Sequence, residues 1–161
     1  MKKLFTIIVC KVLKFVGGLL GKGSSLPGQI ALKLCPDILG RIELPKYIVA
    51  VTGSNGKTST VEMIAHILCE SGKKVAWNKE GSNQIEGVTT LILGSCTLSG
   101  KVKSDILLIE SDERFAKYTF KYITPTHYVI TNLYRDQLTR NGHPEWVYNA
   151  VKAVSYTHLR A

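Results

Sequence analysis

The residues from 52 to 59 have the types and spacing that bind a nucleotide phosphate. Their sequence is T-G-S-N-G-K-T-S, in which two glycines allow a tight turn whose N–H groups can point inward. Lys57 brings a positive charge for phosphate oxygens, and the Thr58 hydroxyl can ligate Mg²⁺. The stretch therefore predicts a phosphate loop. The residues predicted to bind the nucleotide are Gly53, Ser54, Asn55, Gly56, Lys57, Thr58 and Ser59.

This loop is shorter than the standard phosphate loop, G-x-x-x-x-G-K-[ST]. Val51 stands where the standard motif has its first glycine, which argues against a kinase or another P-loop NTPase. Taken alone, G-x-x-G-K could also be a strand-to-helix turn with a surface lysine. The flanking sequence favours the phosphate loop, because an apolar strand pattern precedes it and a helical pattern follows it.

A second chemical feature is the carboxylate that ends the apolar run at 105–110. Such a run is typical of a strand buried on both faces of a parallel sheet. A carboxylate at the end of that strand would be a hard oxygen ligand beside the phosphate loop. We therefore predict Thr58 and Glu110 as metal ligands. Asp112 and Glu113 could instead favour the N-terminus of the next helix through its dipole.

The elements that position these residues alternate between strand and helix. Strand patterns at 47–52, 74–77, 105–110 and 126–131 are separated by helical patterns. This order predicts an α/β fold with a doubly wound parallel sheet. The polar stretches 78–83 and 132–140 each follow a strand, at the edge where such sheets bind ligands. Asn83 could equally be the N-cap of the following helix.

The N-terminal segment, residues 1–46, is basic and helical in pattern. It has eight basic and two acidic residues, and the whole chain has a net charge of +9. Five apolar residues recur at helical spacing, namely Leu4, Ile8, Val12, Phe15 and Leu19. The run is too short and too often interrupted by lysine to span a bilayer. The predicted amphipathic helix either packs on the domain or lies on a membrane surface.

Other partners and compartments are restricted by composition. Basic and aromatic residues are not interleaved and no recognition-helix pattern occurs, so we expect no nucleic-acid partner. The four cysteines are widely spaced and contain no C-x-x-C pair, which indicates neither a zinc site nor a disulfide framework. A reducing cytoplasm is therefore the expected compartment.

These motifs together resemble the Mur ligase family, the ATP-dependent ligases of peptidoglycan synthesis. Residues 52–58 are similar to that family's T-G-[TS]-N-G-K-T loop, and the stretches 25–36, 78–83, 110–113 and 132–140 resemble its lipid II-amidating branch. The resemblance implies a partial central ATP-binding domain of P-loop-type topology at 47–154. It stops within that domain, and residues 155–161 are interpreted as a non-native tail.

The resemblance also implies a reaction. In that branch, ATP and Mg²⁺ activate the D-glutamate carboxyl of lipid II as an acyl phosphate, and ammonia from a GatD-type glutaminase subunit replaces the phosphate. Gln137 stands where most family members have a histidine that holds a second metal ion. The positions implied to contact substrate are Asn83, Asn132, Asp136 and Arg140.

Two alternatives remain open from the sequence. One is a Mur-type ligase that adds an amino acid, and the other is a non-enzymatic, membrane-associated nucleotide-binding module. If the lipid II-amidating hypothesis is right, we expect this chain to bind nucleotide weakly and to amidate nothing by itself. We expect it in the cytoplasm, in peripheral contact with the inner face of the membrane through residues 1–22.

Overall fold

The chain forms a parallel sheet covered by helices on both faces. The computed structural model describes residues 1–19, 25–78, 84–112, 116–133, 145, 148–149 and 151–153. Four strands were found there: β1 (Tyr47–Thr52), β2 (Val75–Trp77), β3 (Ile106–Glu110) and β4 (His127–Ile130). Their order across the sheet is β2-β3-β1-β4, and each neighbouring pair is parallel. The predicted α/β fold with a parallel sheet is confirmed.

Helices connect these strands and precede the first of them. They are α1 (Lys2–Leu19), α2 (Leu26–Leu34), α3 (Lys57–Glu70), α4 (Ile85–Ser95) and α5 (Ala116–Thr119), with a 3₁₀ turn at Ile38–Arg41. Near the C-terminal end, the described residues 145, 148–149 and 151–153 are also helical. This agrees with the alternation of strands and helices that the sequence predicts.

The two faces of the sheet have separate cores. Helix α3 covers one face, where Val61 and Ala65 pack against Val51 of β1 and Leu108 of β3. Helices α1, α2 and α4 cover the other face. All five residues of β3 are buried, because this strand has a neighbour on each side and helices on both faces. The N-terminal helices therefore share a core with the sheet that carries the phosphate loop.

Close packing of α2 on α4 depends on a glycine. A Cβ atom at Gly28 would lie 1.9 Å from the backbone oxygen of Glu86. The Gly28 N–H donates a hydrogen bond of 2.8 Å to the Thr90 hydroxyl, which satisfies a donor in the first turn of α2. The glycine in the stretch 25–36 thus has a packing role.

Helix α1 packs through the side opposite to the apolar stripe that the sequence predicts. Ile7 and Cys10 are fully buried, and the Lys11 ammonium donates a 2.9 Å hydrogen bond to the Gly94 carbonyl in the last turn of α4. The five stripe residues, Leu4, Ile8, Val12, Phe15 and Leu19, are instead 42% to 73% exposed. In the part of the chain that the structure describes, no helix has the length and apolar character needed to cross a membrane.

Candidate functional site

The predicted phosphate loop lies between the end of β1 and the start of α3. Gly53 and Gly56 have φ angles of +134° and +78°, conformations that residues with a side chain rarely adopt. Gly56 is the N-cap of α3, so the loop leads directly into the first helical turn at Lys57. The first N–H groups of any α-helix have no carbonyl partner within that helix, and the helix dipole favours an anion there. The geometry is therefore that of an anion-binding strand-to-helix turn.

The loop is held against the end of β4. A Cβ atom at Gly53 would lie 2.2 Å from the Thr131 hydroxyl and 2.8 Å from the Asn132 carbonyl. Glycine is therefore required at position 53 both by the backbone angle and by the nearby chain. The Ser54 N–H donates to the Asn132 carbonyl at 3.1 Å, which fixes the first half of the loop on this neighbouring segment.

The Asn132 side chain pairs with the backbone of Asn55. Its Oδ1 accepts a hydrogen bond from the Asn55 N–H, and its Nδ2 donates one to the Asn55 carbonyl, both at 3.0 Å. The Thr131 hydroxyl donates to the same carbonyl at 2.8 Å. The sequence motifs do not single out Thr131, although its position at the end of a strand beside Asn132 is a clue. The two residues hold the tip of the loop.

The charge of the loop comes from Lys57. Its ammonium donates hydrogen bonds to the carbonyl oxygens of Gly53 and Ser54, the latter at 3.4 Å. The side chain is thus folded over the loop, with its charge next to the helix N-terminus. Phosphate oxygens would offer this ammonium charged acceptors in place of neutral carbonyls, and charge-assisted hydrogen bonds are the stronger ones.

The two predicted metal ligands are in direct contact. The Thr58 hydroxyl donates a 2.9 Å hydrogen bond to Oε2 of Glu110. Strand register explains this contact, because Glu110 pairs with Val51 on the adjacent strand, just before the loop. Glu110 and Asp112 are only 4% and 8% exposed. A buried carboxylate beside a hydroxyl is a hard oxygen set that suits Mg²⁺.

The same oxygen set does not form a metal site of protein ligands alone. Among the described residues, no cluster of three or more histidine, cysteine or acidic side chains could hold a metal ion. Mg²⁺ commonly binds through one or two carboxylates and takes its other ligands from phosphate and water. The residues present fit a metal ion that arrives with a nucleotide.

The sequence-predicted site residues fall into two groups. The structure brings together the loop residues 53–59 with Glu110 and Asn132 at the carboxyl edge of the sheet. Asn83, Asp136 and Arg140 lie outside the described residues, as does Gln137. The contacts with substrate that are expected of Asn83, Asp136 and Arg140 remain predictions.

Comparison with known sequences gives the family-level context. The family profile described as Mur ligase middle domain matches residues 51–155. The MurT subunit of lipid II isoglutaminyl synthase (glutamine-hydrolyzing) from Streptococcus pneumoniae is 40% identical over 137 residues, which cover 85% of this chain and 30% of that protein. MurT from Staphylococcus aureus is 35% identical over 153 residues, which cover 94% of this chain and 34% of that protein.

A solved structure shows the same fold. A crystal structure of MurF ligase from Thermotoga maritima in complex with ADP matches with a TM-score of 0.61 and 23% identity, covering 83% of this chain and 30% of that chain. The sequence matches to the two MurT subunits cover 30% and 34% of those proteins. This chain thus corresponds to one part of proteins that are about three times as long.

Proposed function

The chain belongs to the Mur ligase family, and from this premise we propose that it is the nucleotide-binding part of an ATP-dependent ligase of peptidoglycan synthesis. The observation that carries the proposal is the joint placement of the Gly53–Thr58 loop, the N-terminus of α3 and Glu110 at one edge of the sheet. Each element has a complementary part of a metal–nucleotide complex to bind.

The N–H groups of the loop fall into two sets with different roles. Those of Ser54 and Asn55 are bonded to Asn132, so they hold the loop in shape. Binding of the phosphates therefore falls to the N–H groups that follow Gly56 and to the Lys57 ammonium. Thr58 and Glu110 would hold Mg²⁺, which neutralises negative charge on the phosphates when it is bound.

The reaction that best fits these parts is formation of an amide bond through an acyl phosphate. A carboxylate does not condense with ammonia in water, since hydroxide is a poor leaving group. Attack of the carboxylate oxygen on the γ-phosphorus breaks the bond to ADP and gives an acyl phosphate. Ammonia then attacks the carbonyl carbon, phosphate leaves with the electron pair of the broken C–O bond, and the nitrogen gives up one proton to solvent. Lys57, near the migrating phosphoryl group, stabilises the charge that develops on it.

The proposed substrate and partner follow from the relatives rather than from the site. Two relatives are named as the MurT subunit of a glutamine-hydrolyzing lipid II isoglutaminyl synthase. We therefore propose the D-glutamate carboxyl of lipid II as the acceptor of ammonia, and a GatD-type glutaminase as the partner subunit. We propose a cytoplasmic location in contact with the inner membrane surface, since lipid II is anchored in that membrane.

Amidation of lipid II by the intact gene product tests this function. The protein is combined with a GatD-type glutaminase, lipid II, glutamine, ATP and Mg²⁺, and the product is measured by mass spectrometry. Lys57→Ala and Glu110→Gln should each lower the rate by about 100-fold or more, because each removes a charge from the phosphoryl-transfer site. Lys73→Ala is the matched control, since this exposed lysine lies beyond the far end of α3.

Two results would contradict the proposal. Equal rates for Lys57→Ala and the Lys73→Ala control would remove Lys57 from the reaction. Incorporation of a free amino acid instead of ammonia would favour the amino-acid ligase.

The nucleotide step is measured separately on the 161-residue chain by titration with a fluorescent ATP analogue, where Lys57→Ala should weaken binding by about tenfold or more.

A further inference from the structure

The outward face of α1 is a continuous apolar stripe. Seven of its residues are large, apolar and 42% to 73% exposed, namely Leu4, Phe5, Ile8, Val12, Phe15, Val16 and Leu19. At 3.6 residues per turn they fall within about 120° of the helix circumference. Ile7 and Cys10, which are fully buried, lie on the opposite side. The helix therefore has two apolar sides, of which the fold uses one.

Two lysines border this stripe, and α1 contains no acidic residue. Helix α1 contains Lys2, Lys3, Lys11 and Lys14 and no aspartate or glutamate. By helical spacing, Lys2 lies at one border of the stripe and Lys11 at the other. Lys11 and Lys14 also share a groove of about 580 Å³ with Phe15 and Leu19 beside α4. Lys2 and Lys11 therefore place positive charge at the two edges of the apolar stripe.

We propose that this stripe docks on an anionic lipid bilayer, with the apolar side chains among the acyl chains and the lysines among the headgroup phosphates. A helix with leucine and phenylalanine on one side and lysine at its borders is the pattern of interfacial helices. A second copy of the chain suits the stripe less well, because two such faces would bring their lysine borders together on chains that each carry a net charge of +9.

Docking through α1 gives the proposed membrane contact an orientation. Helices α1, α2 and α4 share one core against the sheet, so the docked domain would lie with α1 toward lipid and α3 toward the cytoplasm. It rests on the proposed location and not on the proposed reaction. Vesicle binding needs no nucleotide or partner, so the docking can fail while the ligase function stands, and the reverse.

Co-sedimentation of the purified chain with lipid vesicles tests the docking. Vesicles of phosphatidylglycerol with phosphatidylcholine are compared with vesicles of phosphatidylcholine alone. We expect binding to the anionic vesicles that falls at high salt. The double variant Phe5→Ser/Phe15→Ser should bind at least about tenfold less, because both side chains lose their lipid contact. Lys2→Gln/Lys11→Gln should lose about fivefold for each lysine, because these two lysines lie at the borders of the stripe.

A matched control separates the stripe from exposed apolar surface in general. Met63 and Ile67 on α3 are 59% and 63% exposed, on the other face of the sheet. The double variant Met63→Ser/Ile67→Ser should bind vesicles like the unaltered chain. Circular dichroism of each variant confirms that it is folded.

Three outcomes would overturn the proposal. The first is no binding of the unaltered chain to anionic vesicles. The second is equal loss of binding in the stripe variant and in the α3 control. The third is that the unaltered chain is a dimer in sedimentation equilibrium and the stripe variant is a monomer, which would identify a second copy as the occupant of the stripe.

Discussion

Replacing Asn132 by alanine should weaken nucleotide binding although the side chain faces the loop rather than the expected position of a ligand. Asn132 makes two hydrogen bonds of 3.0 Å with the backbone of Asn55, one as acceptor and one as donor. The substitution removes both and keeps the backbone bond from Ser54 to the Asn132 carbonyl. Of these side-chain contacts to the loop tip, the hydrogen bond from the Thr131 hydroxyl would then remain.

The expected size of the effect follows from those two bonds. A hydrogen bond between neutral groups contributes a net 0.5–1.5 kcal/mol, so both together contribute about 1–3 kcal/mol to holding the loop. Asn55 is exposed, and water can replace part of this, which favours the lower half of the range. We expect a loss of about 1–2 kcal/mol, which corresponds to an increase in the nucleotide Kd of about 5- to 30-fold.

Titration with a fluorescent ATP analogue measures this change on the isolated chain. Asn132→Asp is the informative second variant, because a carboxylate keeps the acceptor for the Asn55 N–H, loses the donor and adds negative charge near the phosphates. It should bind nucleotide no better than the alanine variant. Thr97→Ala, in the turn before Lys101 and far from the loop, should leave the Kd unchanged.

The result that would refute this reasoning is an unchanged nucleotide Kd for Asn132→Ala. If the intact ligase with this substitution then showed a raised KM for lipid II alone, Asn132 would contact substrate, as the family resemblance implies. A raised KM for ATP with an unchanged KM for lipid II would instead match its contacts with the loop.

Three further predictions follow from the packing. Gly53→Ala should abolish nucleotide binding and lower the free energy of unfolding by about 3 kcal/mol or more, as measured by urea denaturation, because it combines a left-handed φ with a Cβ 2.2 Å from Thr131; a change below about 1 kcal/mol would contradict this. Gly28→Ala should cost about 1–3 kcal/mol by forcing α2 away from α4, whereas Gly18→Ala, with open space around it, should be neutral or slightly stabilising. Iodoacetamide at neutral pH should modify one thiol per native chain, that of exposed Cys69, and rapid labelling of more would be inconsistent with the burial of the others. Burial raises the pKa of the Cys10 thiol to about 11, so this thiol stays protonated even at mildly alkaline pH.

Much of the sheet could be predicted because its signals are local. The run from Tyr47 to Thr52 is an apolar stretch that stops at a glycine, and the run that ends at Glu110 is similar, so each strand is visible within a few residues. The contact between Thr58 and Glu110 also follows, since parallel strands bring their carboxyl ends to the same edge. The only long-range information that these predictions require is that β1 and β3 are neighbours.

The outward face of α1 could not be predicted from periodicity. Leu4, Ile8 and Phe15 recur at helical spacing, but Ile7 and Cys10 form a second apolar side at the same period. Burial is decided by α2 and α4, which contact α1 on the side of Ile7 and Cys10. A hydrophobic pattern gives the period of a helix but not its partner when both sides are apolar.

The hold of Asn132 on the loop depends on strand order, which is the least local property of the fold. Asn132 and Asn55 are 77 residues apart, and they meet because β4 is the neighbour of β1 at one side while β3 is its neighbour at the other. Val51 pairs with Glu110 on the β3 side and with Val129 on the β4 side, so the loop that follows β1 leaves the sheet between two segments with different tasks. The β3 side supplies the carboxylate that we propose as a metal ligand, and the β4 side supplies the polar groups that fix the backbone. A different strand order would leave the T-G-S-N-G-K-T motif unchanged and would still remove one of these supports.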